Sequence, residues 1–76
     1  MSFGERLKQA RLARGWSQAE LKRQCGVPQG LISRMEHGLV KEPGLTVLRR
    51  LARALGVTAD FLVGIYDEPP DPLPDH

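Results

Sequence analysis

The sequence predicts an all-α protein, a compact bundle of five short helices, and three observations support this prediction. Apolar residues recur at intervals of three and four, which is the spacing of one helix face. Glycines at positions 15, 26, 38 and 56 divide this pattern into short pieces, as helix-ending glycines do. The sequence shows neither an internal repeat nor the alternating pattern of a strand.

The first helix is predicted over residues 3–14, where Phe3, Leu7 and Ala10 share one face. Basic residues in its last turn suit the helix dipole, and a glycine follows as the stop. Trp16, which comes next, is expected to pack into the core.

The second helix is predicted to begin at Ser17, in the stretch SQAE. This stretch is a capping box, in which Ser17 accepts a hydrogen bond from the amide of Glu20 and the Glu20 side chain reaches back. Leu21 and Cys25 are expected to point inward, and Gly26 to end the helix in the left-handed conformation.

The third helix is predicted to begin at or next to Pro28, whose φ is preset and which has no amide hydrogen to leave unpaired. Ile32 and Met35 form its inward face. Because a tight turn with Gly26 joins the second and third helices, the two form a helix-turn-helix. This arrangement leaves the N-terminal half of the third helix exposed, and the major groove of B-DNA, about 12 Å wide, admits one helix.

The fourth helix, residues 45–55, has the strongest amphipathic pattern of the chain. Its inward residues are predicted to be Leu45, Leu48, Ala52 and Leu55, with Leu51 beside them.

A short fifth helix is predicted to be capped by Thr58, with Phe61 and Leu62 inward. Residues 66–76 then contain four prolines and four acids. This composition cannot pack a core, so we expect this segment to be disordered or extended.

The charge of the chain is unevenly distributed. All eleven Lys and Arg residues lie between Arg6 and Arg53, and together with five acids they give residues 1–66 a net charge of +6. The other four acids give residues 67–76 a net charge of −4. A basic body suggests a polyanionic partner, and the alternative is a solvated surface with an acidic tail that favours solubility.

The composition argues against several classes of protein. The single Cys25 cannot form an intramolecular disulfide, and with only His37 and His76 beside it we expect no metal site and no cofactor. No apolar run approaches the ~18 residues of a membrane helix and no export signal is visible, so we expect a cytoplasmic protein without membrane contact. We do not expect an enzyme, because there is no acid pair with a plausible cleft and Cys25 has no nearby His in the sequence.

Three stretches, GERLKQARLARGWSQAEL, GVPQGLISRMEHG and LRRLARALGVTADFL, resemble the phage repressor and Cro family of helix-turn-helix proteins, also called the xenobiotic response element family. The resemblance covers residues 3–63 nearly without gaps. It implies a lambda-repressor-like DNA-binding domain in residues 1–66, followed by the acidic, proline-rich tail of residues 67–76. It also implies a transcriptional repressor or regulator that binds double-stranded DNA as a homodimer, with the third helix, about residues 28–36, in the major groove.

Carried over residue by residue, the resemblance implies two sets of DNA contacts. Glutamine can bond adenine in bidentate fashion, and arginine suits guanine or phosphate equally. The candidates for base contacts are Gln29, Gly30, Leu31 and Arg34. The candidates for phosphate contacts are Ser17, Gln18, Pro28, Ser33, His37 and Lys41.

Glu36 needs a cationic partner, because an acid at a helix C-terminus opposes the dipole and an acid near DNA repels phosphate. The resemblance implies that this partner is Arg11, in a semi-buried structural salt bridge. The alternative is a loose, exposed pair.

Three residues depart from the family pattern. Lys22 stands where a small residue is usual, so either its stem packs while its ammonium reaches solvent, or the angle between the helices differs. Pro28 replaces the usual Ser or Thr cap, and Gly30 replaces a residue that often contacts bases. The reading surface is therefore sparse, and specific binding is either weak or dependent on DNA shape. Leu31 either touches a thymine methyl group or is partly buried.

The small number of base contacts that one helix can make is a second argument for a homodimer. Two third helices one DNA turn (~34 Å) apart on a palindrome make more base contacts than one helix can. Apolar residues near the C-terminus are candidates for the dimer surface, with the alternative that they only complete the core: Phe61, Val63, Ile65 and Tyr66.

A protein-interaction module is the alternative function. It would be an antitoxin-like or scaffold protein whose tail, residues 67–76, binds a protein partner.

Overall fold

The computed structural model describes residues 2–40 and 42–64, and these form five helices without a strand, so the predicted all-α class is confirmed. In chain order the helices are α1 (Phe3–Ala13), α2 (Gln18–Cys25), α3 (Gln29–Glu36), α4 (Leu45–Leu55) and α5 (Ala59–Val63). Several predicted features lie outside the described residues and stay predictions: Lys41, Ile65, Tyr66, the domain boundary at residue 66 and the tail of residues 67–76.

The helices α1, α2 and α5 begin at residues whose side chains cap them. Ser2 and Glu5 form a reciprocal capping box at the start of α1, in which the Ser2 hydroxyl accepts from the Glu5 amide and Glu5 accepts from the Ser2 amide. At the start of α2, Ser17 accepts from the amide of Glu20 at 3.0 Å, as predicted. The second half of that predicted box is wrong, because the Glu20 carboxylate accepts from Arg23 and Gln24 instead.

The core lies between all five helices. Its fully buried side chains include at least one from each helix, namely Leu7, Leu21, Ile32, Met35, Leu51 and Leu62. Trp16 is half-buried against this core, with the Arg14 guanidinium 5.5 Å from the centre of its ring. The described helices are all too short, or too polar, to cross a membrane.

The predicted inward position of Leu45 is wrong, because 70% of this residue is exposed. The helix α4 packs against α2 and α5, and its buried residues Leu51, Ala52 and Leu55 all lie in its second half. Leu45 is the first residue of α4, so it continues the helical spacing without a neighbouring element to cover it.

The helix α3 packs against both α1 and α2. The backbone of Gly4 on α1 approaches the carbonyl groups of Met35 and Glu36 so closely that a Cβ atom at position 4 would collide with them. Only glycine permits this approach, which joins the start of α1 to the end of α3.

Candidate nucleic-acid interface

The turn between α2 and α3 is short and well packed. Gly26 ends α2 with a φ of +76°, and Val27 is buried in the core. Pro28 precedes α3, and its side chain makes no capping hydrogen bond. Lys22 on the preceding helix is exposed.

The turn exposes the first backbone amide groups of α3. The carbonyl group of Pro28 accepts from the amides of Leu31 and Ile32. The exposed residues Gln29 and Gly30 come first in the helix, where amide groups have no intrahelical partner. Amides at a helix N-terminus favour an anion such as a phosphate.

The solvent-facing side of α3 carries most of the candidate base-contacting residues. Gln29, Gly30 and Arg34 are exposed on this helix, whereas Ile32 and Met35 anchor its opposite face in the core. Leu31 is partly buried against the core, which agrees with the second of its two predicted roles. Gly30 faces open space, because no atom lies within 4 Å of the position of an added Cβ.

Two candidate phosphate-contacting residues, Ser33 and His37, interact with each other. The His37 Nδ1 atom lies 2.7 Å from the carbonyl oxygen of Ser33. Because a carbonyl oxygen only accepts, Nδ1 carries a hydrogen in this arrangement. His37 therefore uses Nδ1 for this contact, which leaves Nε2 as the ring nitrogen that can meet another partner.

A buried network ties α3 to α1 and α2. Arg11 donates to Glu36 through two nitrogens, with Nε 2.7 Å from Oε2 and Nη2 2.9 Å from Oε1. A third Arg11 nitrogen, Nη1, donates to the carbonyl oxygen of Trp16 at 2.8 Å. Only 9% of the Arg11 side chain and 3% of the Glu36 side chain are exposed. The structure therefore contains the salt bridge that the resemblance implies, in bidentate geometry.

The environment of Arg11 keeps it charged. Its hydrogen bonds to Glu36 raise the pKa of the Arg11 guanidinium, and the desolvation by burial, which lowers that pKa, is the smaller effect. A raised pKa means that the stabilising contribution is complete at lower pH and is lost only as the pH rises through the folded-state pKa. Arg11 therefore keeps its positive charge throughout the neutral pH range, and the salt bridge keeps its cation.

Gln18 completes this network, which its sequence position did not indicate. Its Nε2 atom donates to Glu36 Oε1 at 3.1 Å. A glutamine amide has two hydrogens and one carbonyl oxygen, so one N–H group and Oε1 remain available to another partner. Glu36 thus fixes the orientation of a side chain that stands at the first residue of α2.

The candidate dimer surface is only partly described. Phe61 is half-buried, and the Arg6 guanidinium lies 5.2 Å from the centre of its ring. Val63 is 41% exposed. A largely apolar groove of about 300 Å³ adjoins Phe61, between α1 and the α4–α5 connection, and is lined by Gln9, Ala10, Ala13, Arg14, Leu55, Val57 and Phe61.

Comparisons with known proteins agree with this geometry. A family model described as helix-turn-helix matches residues 7–62. The chain is 39% identical over 61 residues to an SPbeta prophage-derived uncharacterized HTH-type transcriptional regulator of Bacillus subtilis. This alignment covers 80% of this chain and 56% of that protein. It is 32% identical over 66 residues to the HTH-type transcriptional regulator SinR of Bacillus licheniformis, with 87% of this chain and 60% of that protein covered. The chain thus spans a little over half the length of these curated relatives.

A solved structure is similar as well. The crystal structure of the P22 c2 repressor protein in complex with a synthetic operator superposes with a TM-score of 0.77 at 30% sequence identity. The match covers 83% of this chain and 94% of the chain in that crystal structure. The five-helix arrangement is therefore one that also occurs in a repressor–operator complex.

Proposed function

Since this chain belongs to the helix-turn-helix family, we propose that it binds double-stranded DNA in a sequence-specific manner and regulates transcription, with α3 in the major groove. The observation that carries this proposal is the polar, exposed side of α3. That side is backed by the fully buried Ile32 and Met35, and its C-terminal end is fixed by the bidentate pair of Arg11 and Glu36. A rigid helix that presents polar side chains outward is what reading base edges requires.

Gln29 and Arg34 are the residues that we propose read the bases. They are five residues apart, which corresponds to about 7.5 Å along the helix axis. Base pairs are about 3.4 Å apart, so the two side chains can reach base pairs about two steps apart. Gly30 adds no side chain between them, which leaves room for the backbone to approach the DNA closely.

The phosphate contacts are proposed to come from two helix N-termini. Gln18 offers its second side-chain N–H group at the start of α2, and the first amides of α3 lie beside Pro28. Glu36 does not oppose this binding, because Arg11 neutralises its charge within the buried pair. Lys41, outside the described residues, remains a further proposed phosphate contact.

We also propose that the chain binds DNA as a homodimer, because two α3 helices one DNA turn apart make more base contacts than one helix can. The apolar groove beside Phe61 and the exposed Val63 support a self-association surface at this end of the molecule. Sedimentation measurements on Val63→Glu test it, with the exposed Thr46→Glu as a control of equal charge. We expect only Val63→Glu to lower the dimer fraction, and equal dimer fractions for both variants would refute this surface.

Selection of bound duplexes from a random DNA pool tests the proposed function directly. At about 0.15 M salt we expect a palindromic consensus with half-sites one turn apart. Gln29→Ala and Arg34→Ala should each lose about 5-fold to 150-fold discrimination at particular base pairs, from ~1–3 kcal/mol per bidentate contact. Lys8→Ala, an exposed change on α1, is the control. No enrichment, or a consensus indifferent to both variants, would refute the proposal.

The acidic, proline-rich composition of residues 67–76 favours the second candidate, a module that binds a protein partner through this tail. Salt separates the two functions. Duplex binding that neutralises phosphates weakens steeply with salt, whereas a partner held by a proline-rich segment need not respond in this way. Removal of residues 67–76 should preserve or tighten DNA binding and abolish binding of such a partner.

A further inference from the structure

Three arginines and a threonine form a stripe along α4 that the proposed DNA interface does not use. Thr46, Arg49, Arg50 and Arg53 are all exposed, and their spacing places them on one side of the helix. The buried residues Leu51, Ala52 and Leu55 mark the side that faces the core. We call these four exposed residues the α4 arginine stripe.

The α4 arginine stripe is electrostatically uncompensated within the described residues. None of its three arginines forms a hydrogen bond or an ion pair with another described residue. In contrast, Arg11 and Arg23 both pair with acids. The four stripe side chains enclose a shallow groove of about 190 Å³. Such a groove concentrates positive charge where an anionic segment can lie.

The stripe lies near the far end of α2 from the candidate phosphate contact at Gln18. A second groove joins Arg50 and Arg53 to Gln24 and Cys25, which are the last residues of α2. Gln18 is the first residue of that eight-residue helix, so about 10 Å of helix axis separates the two ends. The stripe is therefore a second positive surface, bordering the turn rather than the start of α2.

The chain itself supplies a segment of complementary charge. Residues 67–76 contain four acids and neither Lys nor Arg, and the stripe contains three arginines. This segment follows α5, which packs against α4. Asp67 comes four positions after Val63, so at up to ~3.6 Å per position the first acid can lie at most about 14 Å from the end of α5. A segment tethered this closely has an effective concentration of about the millimolar order.

We propose that the acidic segment of residues 67–76 binds the α4 arginine stripe of its own chain. The contacts are charge-assisted pairs between the carboxylates of this segment and the guanidinium groups of Arg49, Arg50 and Arg53. The segment thereby covers part of the positive surface of the molecule. Polyanions other than the cognate DNA then meet a less positive protein.

Amide and arginine side-chain NMR spectra, recorded without DNA at about 0.02 M salt, test this proposal independently of the proposed function. The full chain is compared with a variant whose acids are neutralised by Asp67→Asn, Glu68→Gln, Asp71→Asn and Asp75→Asn. We expect the signals of residues 46–54 to shift and those of residues 29–37 to stay in place. The difference should vanish at 1 M salt, where the Debye length is about 3 Å.

Two further backgrounds locate the contact. With Arg49→Gln and Arg53→Gln, neutralising the acids should no longer shift the α4 signals. With Arg23→Gln and Arg34→Gln, which remove the same charge elsewhere, the shift should persist. The proposal is overturned by unshifted α4 signals, by shifts centred on α3, or by shifts that survive loss of the two stripe arginines. A shift that disappears on dilution would assign the stripe to the acidic segment of a second copy and would also refute binding within one chain.

Discussion

Replacing Glu36 by glutamine should destabilise the fold far more than a single surface substitution does. The Glu36 carboxylate accepts three hydrogen bonds, two from Arg11 and one from Gln18, and its side chain is 97% removed from solvent. The substitution Glu36→Gln keeps the shape but removes the charge and one acceptor. The Arg11 guanidinium then stays buried with a full hydrogen bond only to the Trp16 carbonyl and one glutamine oxygen.

The expected magnitude follows from this count. Breaking a buried pair by removing one partner costs ~3–5 kcal/mol. Because Glu36→Gln keeps the Arg11 contact to Trp16 and one oxygen acceptor, we expect its loss of unfolding free energy to lie near the lower end of this range, at about 3 kcal/mol. A domain of this size has a free energy of unfolding on the order of 4–11 kcal/mol. The variant should therefore lose a large part of its stability and unfold at a markedly lower urea concentration.

Urea unfolding followed by far-ultraviolet circular dichroism measures this change. The double variant Arg11→Met with Glu36→Met should cost less than either Arg11→Met or Glu36→Met alone, because apolar residues leave no buried charge. Arg23→Gln is the control, since Arg23 pairs with Glu20 at 3.3 Å but 78% of its side chain is exposed. That control should change stability by less than ~1 kcal/mol. A loss below ~1 kcal/mol for Glu36→Gln, or strictly additive losses in the double variant, would refute the reasoning.

Three further contrasts test the packing and the helix ends by the same urea unfolding. Gly26→Ala should cost ~1 kcal/mol, because position 26 has a φ of +76°, whereas Gly30→Ala should stabilise by up to ~1 kcal/mol, because position 30 is helical and faces open space. Leu51→Ala should cost ~2–5 kcal/mol and the exposed Leu45→Ala less than ~0.5 kcal/mol. Gly4→Ala should cost more than ~2 kcal/mol, since the added methyl group meets backbone carbonyls of α3 that cannot rotate away.

Each contrast has an outcome that contradicts it. Equal effects at positions 26 and 30 would mean that backbone conformation does not govern the turn. Equal losses of stability at positions 45 and 51 would mean that Leu45 faces inward, as the sequence predicts. A Gly4→Ala variant as stable as the unchanged chain would mean that α1 and α3 can move apart without loss of packing.

The sequence by itself determined the helices and the helix-turn-helix, because those signals are local. The cap at Ser17, the left-handed Gly26 and the cap at Thr58 are hydrogen bonds and backbone conformations within a few residues of each other. The inward faces of α2 and α3 follow from spacing alone, and Leu21, Ile32 and Met35 are fully buried as predicted. The exposed positions of Gln29 and Arg34 on α3 follow from the same spacing.

Only the tertiary structure decided which elements cover which residues. Leu45 fits the amphipathic pattern of α4 but lies at its start, away from the buried second half of the helix, and pattern alone cannot show this. The hydrogen bond from Gln18 to Glu36 and the close approach of Gly4 to α3 join residues 18 or more positions apart. Such contacts depend on how α1, α2 and α3 pack together. Local sequence determines each helix, whereas the side-chain contacts between helices depend on how the helices pack.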